Sequence, residues 1–340
     1  MPRVLFALLA LLGITSCSGP DARLAQKARQ YLQEGKLQQA QETLQEGFRQ
    51  FPQSISLRQE RLRLNLLAGQ PELAAAEARQ ILQTQPTAEP YRLPLQDPSP
   101  AIRSLALRAF ALDPPSHPAP LKILRSALRD PEPTVRREAI EATRILPAPD
   151  AIPLICQAAQ DADWLTRSTA ARLLGSRGDP SAVPTLFSML NDPDSYVRRF
   201  ARRSLLELAT RTKPEAYLPS LQSKDRTTQV VAALALARLN DGRGLDILLA
   251  EIANPLGIER IEGVKSAVRI RDPRVLPAVR SATADADPQV RVVSLIALGL
   301  LRDKESAPLM KKISSDSSSP QEVRLAAGKA LELLSQPADR

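Results

Sequence analysis

One arginine returns along the C-terminal two thirds of this 340-residue chain with a spacing that leaves few folds open. Arg103, Arg136, Arg167, Arg198, Arg260, Arg291 and Arg324 follow one another at intervals of 31 residues, or 33 at the two ends, with Gln229 filling the one slot that lacks arginine. Three residues beyond each comes a small residue: Ala106, Ala139, Ala170, Ala201, Ala232, Gly263, Ser294 or Ala327. Seven beyond comes Phe110, Thr143, Leu174, Leu205, Leu236, Ala267, Leu298 or Leu331, on the same face if the segment is helical. A repeat of this length is one supersecondary unit that cannot bury its apolar face alone, so neighbouring units must stack and share a continuous seam.

The punctuation between these segments completes the unit. Six residues before several of the arginines stands an acid, often followed by proline: Asp97-Pro98, Asp130-Pro131 and Asp192-Pro193, with Asp161 and Asp285 lacking the proline. Such an acid can accept free N–H groups at a helix start, where proline needs no donor. A second helix is expected to open near Pro153, Pro184, Pro277 and Pro308, its apolar stripe beginning at Leu154, Leu186, Val279 and Leu309. Aromatic residues make up only 3% of the chain, which favours helices packed through aliphatic and small side chains. Eight helical hairpins are expected, the last reduced to residues 321–334.

The pattern Asp-Pro, Val-Arg, small residue, then Pro-x-Leu resembles the HEAT-like repeats of the phycobilisome-lyase type, over about 240 residues. A different period of 34 runs before it: Gly35 matches Gly69, Ala40 matches Ala74 and Pro52 matches Pro86. There Ala28, Tyr31, Gly35, Leu37, Ala40, Leu44, Gly47 and Pro52 resemble the tetratricopeptide repeat, while the second copy has Asn65 where the first has Tyr31. Together the resemblances imply an all-α fold, a right-handed α-α superhelix of HEAT-like hairpins behind a tetratricopeptide-like segment. The expected divisions are 22–88 for the first array, a linker at 89–96, the solenoid at 97–334 and a polar tail at 335–340.

The first seventeen residues have another purpose. Arg3 supplies a positive start, Val4 to Ile14 is an apolar run of 11 residues, and Thr15-Ser16 places small residues before Cys17. This is a secretory signal over 1–16, the run falling far short of the ~20 residues a spanning helix needs. Ile14-Thr15-Ser16-Cys17 resembles the lipobox of bacterial lipoproteins, which implies acylation of Cys17, a short tether over 17–21 and, with Ser18 rather than aspartate next, outer-membrane sorting facing the periplasm. More than one acyl chain would anchor stably where a single chain holds only marginally. The alternative is an ordinary secretory signal with an incidental cysteine.

Little chemistry is open to such a chain. With a single histidine, His117, and the cysteines Cys17 and Cys156, it cannot assemble a conventional zinc cluster, and no metal or cofactor is expected. Cys156 reads as a core thiol and His117 as a loop residue. No Gly-rich phosphate loop, nucleophile elbow or metal-binding helix motif occurs. The formal charge is +9, or +8 once Arg3 is removed (9 − 1), which suits an acidic protein, an anionic polymer or lipid. For the recurring arginines, a ladder of pairs with the recurring aspartates outweighs a nucleic-acid reading.

Arg198, Arg199, Arg202 and Arg203 stand apart. The pairs 198/202 and 199/203 lie four apart on one helix, and Arg202 occupies a slot held by Ile140, Ala171, Ala233 or Val264 elsewhere. With Arg167 and the lone tryptophan, Trp164, they form the candidate partner-binding set; the competing readings are a solvated, salt-bridged face for the arginines and packing between units for Trp164. The expected function is a membrane-anchored, non-catalytic scaffold that binds an envelope protein or peptide. Similar repeats occur in bilin-attaching proteins and in a DNA glycosylase fold, but export argues against both, and a pure spacer is the remaining alternative.

Overall fold

A computed structural model describes residues 19–112, 120–254, 256–257 and 259–336. The signal segment, Cys17, His117, most of the Pro-rich stretch 113–120 and the last four residues lie outside the described residues. Among the described residues the secondary structure is helical, without a strand, and the chain is an all-α repeat solenoid. It divides into two compact units, Met1–Leu154 and Ile155–Arg340.

The first unit opens with two helical hairpins, α1 (Pro20–Gln33) with α2 (Leu37–Gln50) and α3 (Ile55–Leu67) with α4 (Pro71–Thr84). Gly35 and Gly69 make their turns at φ +73° and +71°, a left-handed conformation that glycine adopts without a Cβ clash. In both turns the next residue closes back five positions, Lys36 N–H to Tyr31 O at 2.8 Å and Gln70 N–H to Asn65 O at 2.8 Å, the closure that satisfies carbonyls at a helix end. Ala25, Ala28, Leu32, Ala40, Leu44 and Leu57 form the core between these helices. The segment before α5 (Pro100–Ala111) is ordered: Tyr91 is 1% exposed and meets Phe110 edge-on at 5.8 Å between ring centres. The unit continues through α6 (Pro120–Ala127) and α7 (Pro133–Ala142), and α8 (Ala148–Ala158) runs across the division.

In the second unit the Arg-bearing helices are α9 (Trp164–Arg177), α11 (Ser195–Leu208), α12 (Arg226–Arg238), α14 (Arg260–Ile270), α16 (Pro288–Leu300) and α18 (Gln321–Ser335). Alternating with them are α10 (Val183–Ser188), α13 (Leu245–Ala253), α15 (Val275–Ala282) and α17 (Ala307–Ser315). Between α11 and α12 the second helix is replaced by 3-10 segments, Pro214–Ala216 and Leu218–Gln222, around a fully buried Tyr217. The small residue three beyond each recurring Arg or Gln is buried in every repeat, as expected of a position where helices approach closely. Nearby glycines extend the same device. A Cβ on Gly175 would lie 2.5 Å from the Ser204 side chain, and one on Gly299 would lie 2.9 Å from Ala330 Cα.

Two local expectations need correction. The helix-capping acid is not the recurring aspartate but the residue two further on: Asp163, Asp194, Asp225 and Asp287 accept first-turn N–H groups of α9, α11, α12 and α16. The recurring aspartate instead takes the N–H of that second residue, as Asp192 does from Asp194 at 2.9 Å, and so shapes the loop. Near Pro153 the helix does not open; α8 has already begun at Ala148 and holds Pro153 inside.

Candidate functional site

The recurring arginines are built into the loops. Arg103 Nη1 donates to the carbonyls of Asp97 and Pro98 at 2.8 and 3.1 Å, while Nε and Nη2 donate to both carboxylate oxygens of Asp130 in the next repeat, each at 2.7 Å. Arg167 repeats the arrangement, with Nη1 on Asp161 O and Ala162 O and a two-point pair to Asp192 at 2.7 and 2.8 Å. Arg260 pairs with Asp285 at 3.0 Å. Planar two-point pairs of this kind are stronger and more specific than single contacts. Burial pushes the Asp130 and Asp192 carboxyls up, but the paired guanidinium and loop N–H groups outweigh it and hold both below the ordinary carboxylate range. The ladder expected from the sequence is present at these rungs.

It breaks at the middle of the second unit. Arg198 Nη1 keeps the loop bonds, to Asp192 O and Pro193 O at 2.6 and 2.9 Å, but the next loop carries Ser223 where a rung aspartate would stand. Gln229, in the arginine slot, keeps the loop bond, to Ser223 O at 2.8 Å, and accepts from Arg226 on its own helix, with no carboxylate of the next repeat. Among the described residues Arg198 and Arg199 are exposed without an ion-pair partner.

The other members of the candidate set are engaged. Arg167 is a rung, and Arg203 pairs with Glu207 four residues on at 2.7 Å. Arg202 is half-buried and pairs with Glu259, a largely buried carboxyl raised by its burial against the opposing pull of Arg202. That contact explains an arginine in an apolar slot. It also coincides with a delayed helix: α14 starts at the recurring Arg260 itself, whereas α9, α11 and α16 start three residues before theirs.

Trp164 gains a neighbour that the sequence reading did not name. Asp163 and Asp194 cap α9 and α11, so Trp164 and Tyr196 both stand in first turns, 41% and 52% exposed, with ring centres 5.5 Å apart and planes tilted by 33°. Arg199 lies over the Tyr196 ring at 5.8 Å, and Leu165 is 38% exposed beside Trp164. Aligning the first turns in the repeat register would have pointed to this site, because Leu165 plus 31 is Tyr196. The structure thus joins Trp164, Tyr196 and Arg199, leaves the adjacent Arg198 without an ion-pair partner among the described residues, and engages Arg167, Arg202 and Arg203 in ion pairs. The surface offers ring stacking, apolar contact and two cations; no group of three or more metal-ligating side chains occurs among the described residues.

Comparison with known proteins bears on the architecture. Solved structures similar to the chain include human deoxyhypusine hydroxylase in complex with glycerol, at 17% identity over 77% of this chain and 98% of that chain with a TM-score of 0.32. An engineered protein matches at 19% identity over 63% and 96% with a TM-score of 0.32, and the complex of CpcE and CpcF of phycocyanin lyase from Nostoc sp. PCC7120 at 19% over 71% and 91% with a TM-score of 0.33. No curated protein matches the sequence. The family model for HEAT repeats matches residues 92–161, 152–237 and 245–332, well over half of the chain. The protein belongs to the HEAT-repeat family.

Proposed function

We propose that the protein is a non-catalytic binding scaffold, held on the periplasmic face of the outer membrane by a lipid on Cys17, with the HEAT repeats and a tetratricopeptide-like segment displayed to a protein or peptide partner. The observation that carries the binding reading is the juxtaposition of the exposed Trp164–Tyr196 pair with Arg198 and Arg199 at the break in the ladder. Exposed aromatics beside unneutralised arginine are the residue types that dominate binding energy at protein interfaces, and they favour a partner segment carrying an apolar side chain and a carboxylate. The lipobox-like segment supports the anchor, and the 34-residue hairpins with left-handed glycines support the tetratricopeptide likeness. Among the described residues no helix is long and apolar enough to cross a membrane.

Cross-linking in intact envelopes followed by purification tests the reading. A specific partner should be recovered with the wild type and with Arg203→Glu, and lost with Trp164→Ala, Tyr196→Ala or the double change Arg198→Glu, Arg199→Glu. Equal recovery from all variants would remove this surface from the function. Metabolic labelling with a fatty acid should mark the wild type and leave Cys17→Ser unlabelled.

A further inference from the structure

In α9 and α12, the positions one, four and eight beyond the recurring residue are covered by packed neighbours, Gly175 by Ser204 of the following repeat and Ala233 by Gly244 of its own hairpin. In α9 they are Ser168, Ala171 and Gly175, and in α12 they are Val230, Ala233 and Ala237, all buried. In α18 the same positions are Leu325, Gly328 and Glu332, and this face is open. Leu325 is 66% exposed, and these residues line a shallow cleft with Gln321 and Arg324.

Gly328 is the telling residue. A glycine inside a helix is destabilising relative to alanine. At Gly47, Gly175, Gly263 and Gly299 that cost is offset by a neighbour that would lie between 2.5 and 3.1 Å from a Cβ, whereas a Cβ on Gly328 meets nothing within 4 Å. It is a close-approach position with no approaching helix. Arg324 carries a matching gap. Nη1 donates to Ser319 O at 2.6 Å, as in other repeats, but the Nε and Nη2 edge that receives a carboxylate in Arg103 and Arg167 has no partner among the described residues.

We infer that this face packs against the same face of a second copy of the chain, with the two α18 helices antiparallel and crossing at Gly328. A two-fold axis there brings together residues equally far from Gly328 on opposite sides. Leu325 then meets Leu331 of the second copy, Gln321 meets Ser335, and Arg324 meets Glu332, so each open guanidinium edge receives a carboxylate and each exposed leucine an apolar neighbour. Glu332 can change partners readily, since its bond to Lys329 at 2.7 Å joins two side chains more than half exposed. A single helix pair buries less than a typical stable dimer, so the association is weak in dilute solution and strengthens where chains are concentrated on a surface.

Disulfide trapping of the full chain tests this. Gly328→Cys should give a covalent dimer on a non-reducing gel, and exposed Arg203→Cys should not. Adding Leu325→Glu or Glu332→Arg to Gly328→Cys should remove most of that dimer. Gly328→Leu should self-associate less than the wild type by sedimentation while its melting temperature holds or rises, because nothing in the single chain obstructs the new side chain. Absence of the Gly328→Cys dimer, an equal dimer from Arg203→Cys, indifference to Leu325→Glu, or a lowered melting temperature for Gly328→Leu would each overturn the inference.

Discussion

Arg271 and Arg302 hold φ of +55° and +56° where the equivalent position in α9's repeat is Gly178 at +74°. The three positions share one register, eleven beyond the recurring arginine, where the chain must turn left-handed to leave the helix. A side chain there costs about 1–2 kcal/mol that glycine avoids. Arg271→Gly, an exposed position, should therefore raise stability by about 0.5–1 kcal/mol in chemical denaturation after the greater freedom of glycine in the unfolded chain is subtracted. Arg202 poses the opposite case. Truncation to alanine leaves Glu259 buried without its cation and should cost about 1–3 kcal/mol. In a double-mutant cycle, Glu259→Gln should recover part of that loss; additive losses would mean that the pair contributes nothing.

At the scale of elements, the rungs at Arg103, Arg167 and Arg260 join an Arg-bearing helix to the loop of the next repeat, and their chemistry makes them sensitive to acid. Burial raises the Asp192 carboxyl and the Arg167 bonds lower it further, leaving it below the ordinary 3.8. The rung is thus complete above that value and is lost as pH falls through the lower, folded-state range. Asp192→Asn should cost about 1–3 kcal/mol at neutral pH. The difference from wild type should shrink as the wild-type rung is itself protonated below the ordinary carboxylate range; a difference independent of pH would exclude the ladder as its source. The rungs were legible because Arg and Asp recur in one register. The division of labour within each guanidinium, one nitrogen for its own loop and an edge for the next, was not, because backbone carbonyls leave no mark in a sequence. The same limit led to the misplacement of the helix caps: either acid of a loop can cap, and only the backbone path decides which one does.

Across the whole molecule, the spacing of arginines, small residues and prolines determined the helical repeats and the buried seam, since a hairpin of this size with one apolar face has no stable solution except stacking on its like. Composition, with one histidine and two cysteines, left too few ligands for a conventional zinc cluster, and Trp164 stood out as the chain's only tryptophan. Tertiary structure decided which arginines remain available. Four neighbouring cations on one helix looked alike in sequence, yet Glu259, 57 residues from Arg202, and Glu207, one turn from Arg203, engage two of them and leave Arg198 and Arg199 beside a ring pair drawn from two repeats. Residues meet across repeats through the stacking register, and a shift of one position between Trp164 and Tyr196 is invisible until both helices have their caps in place.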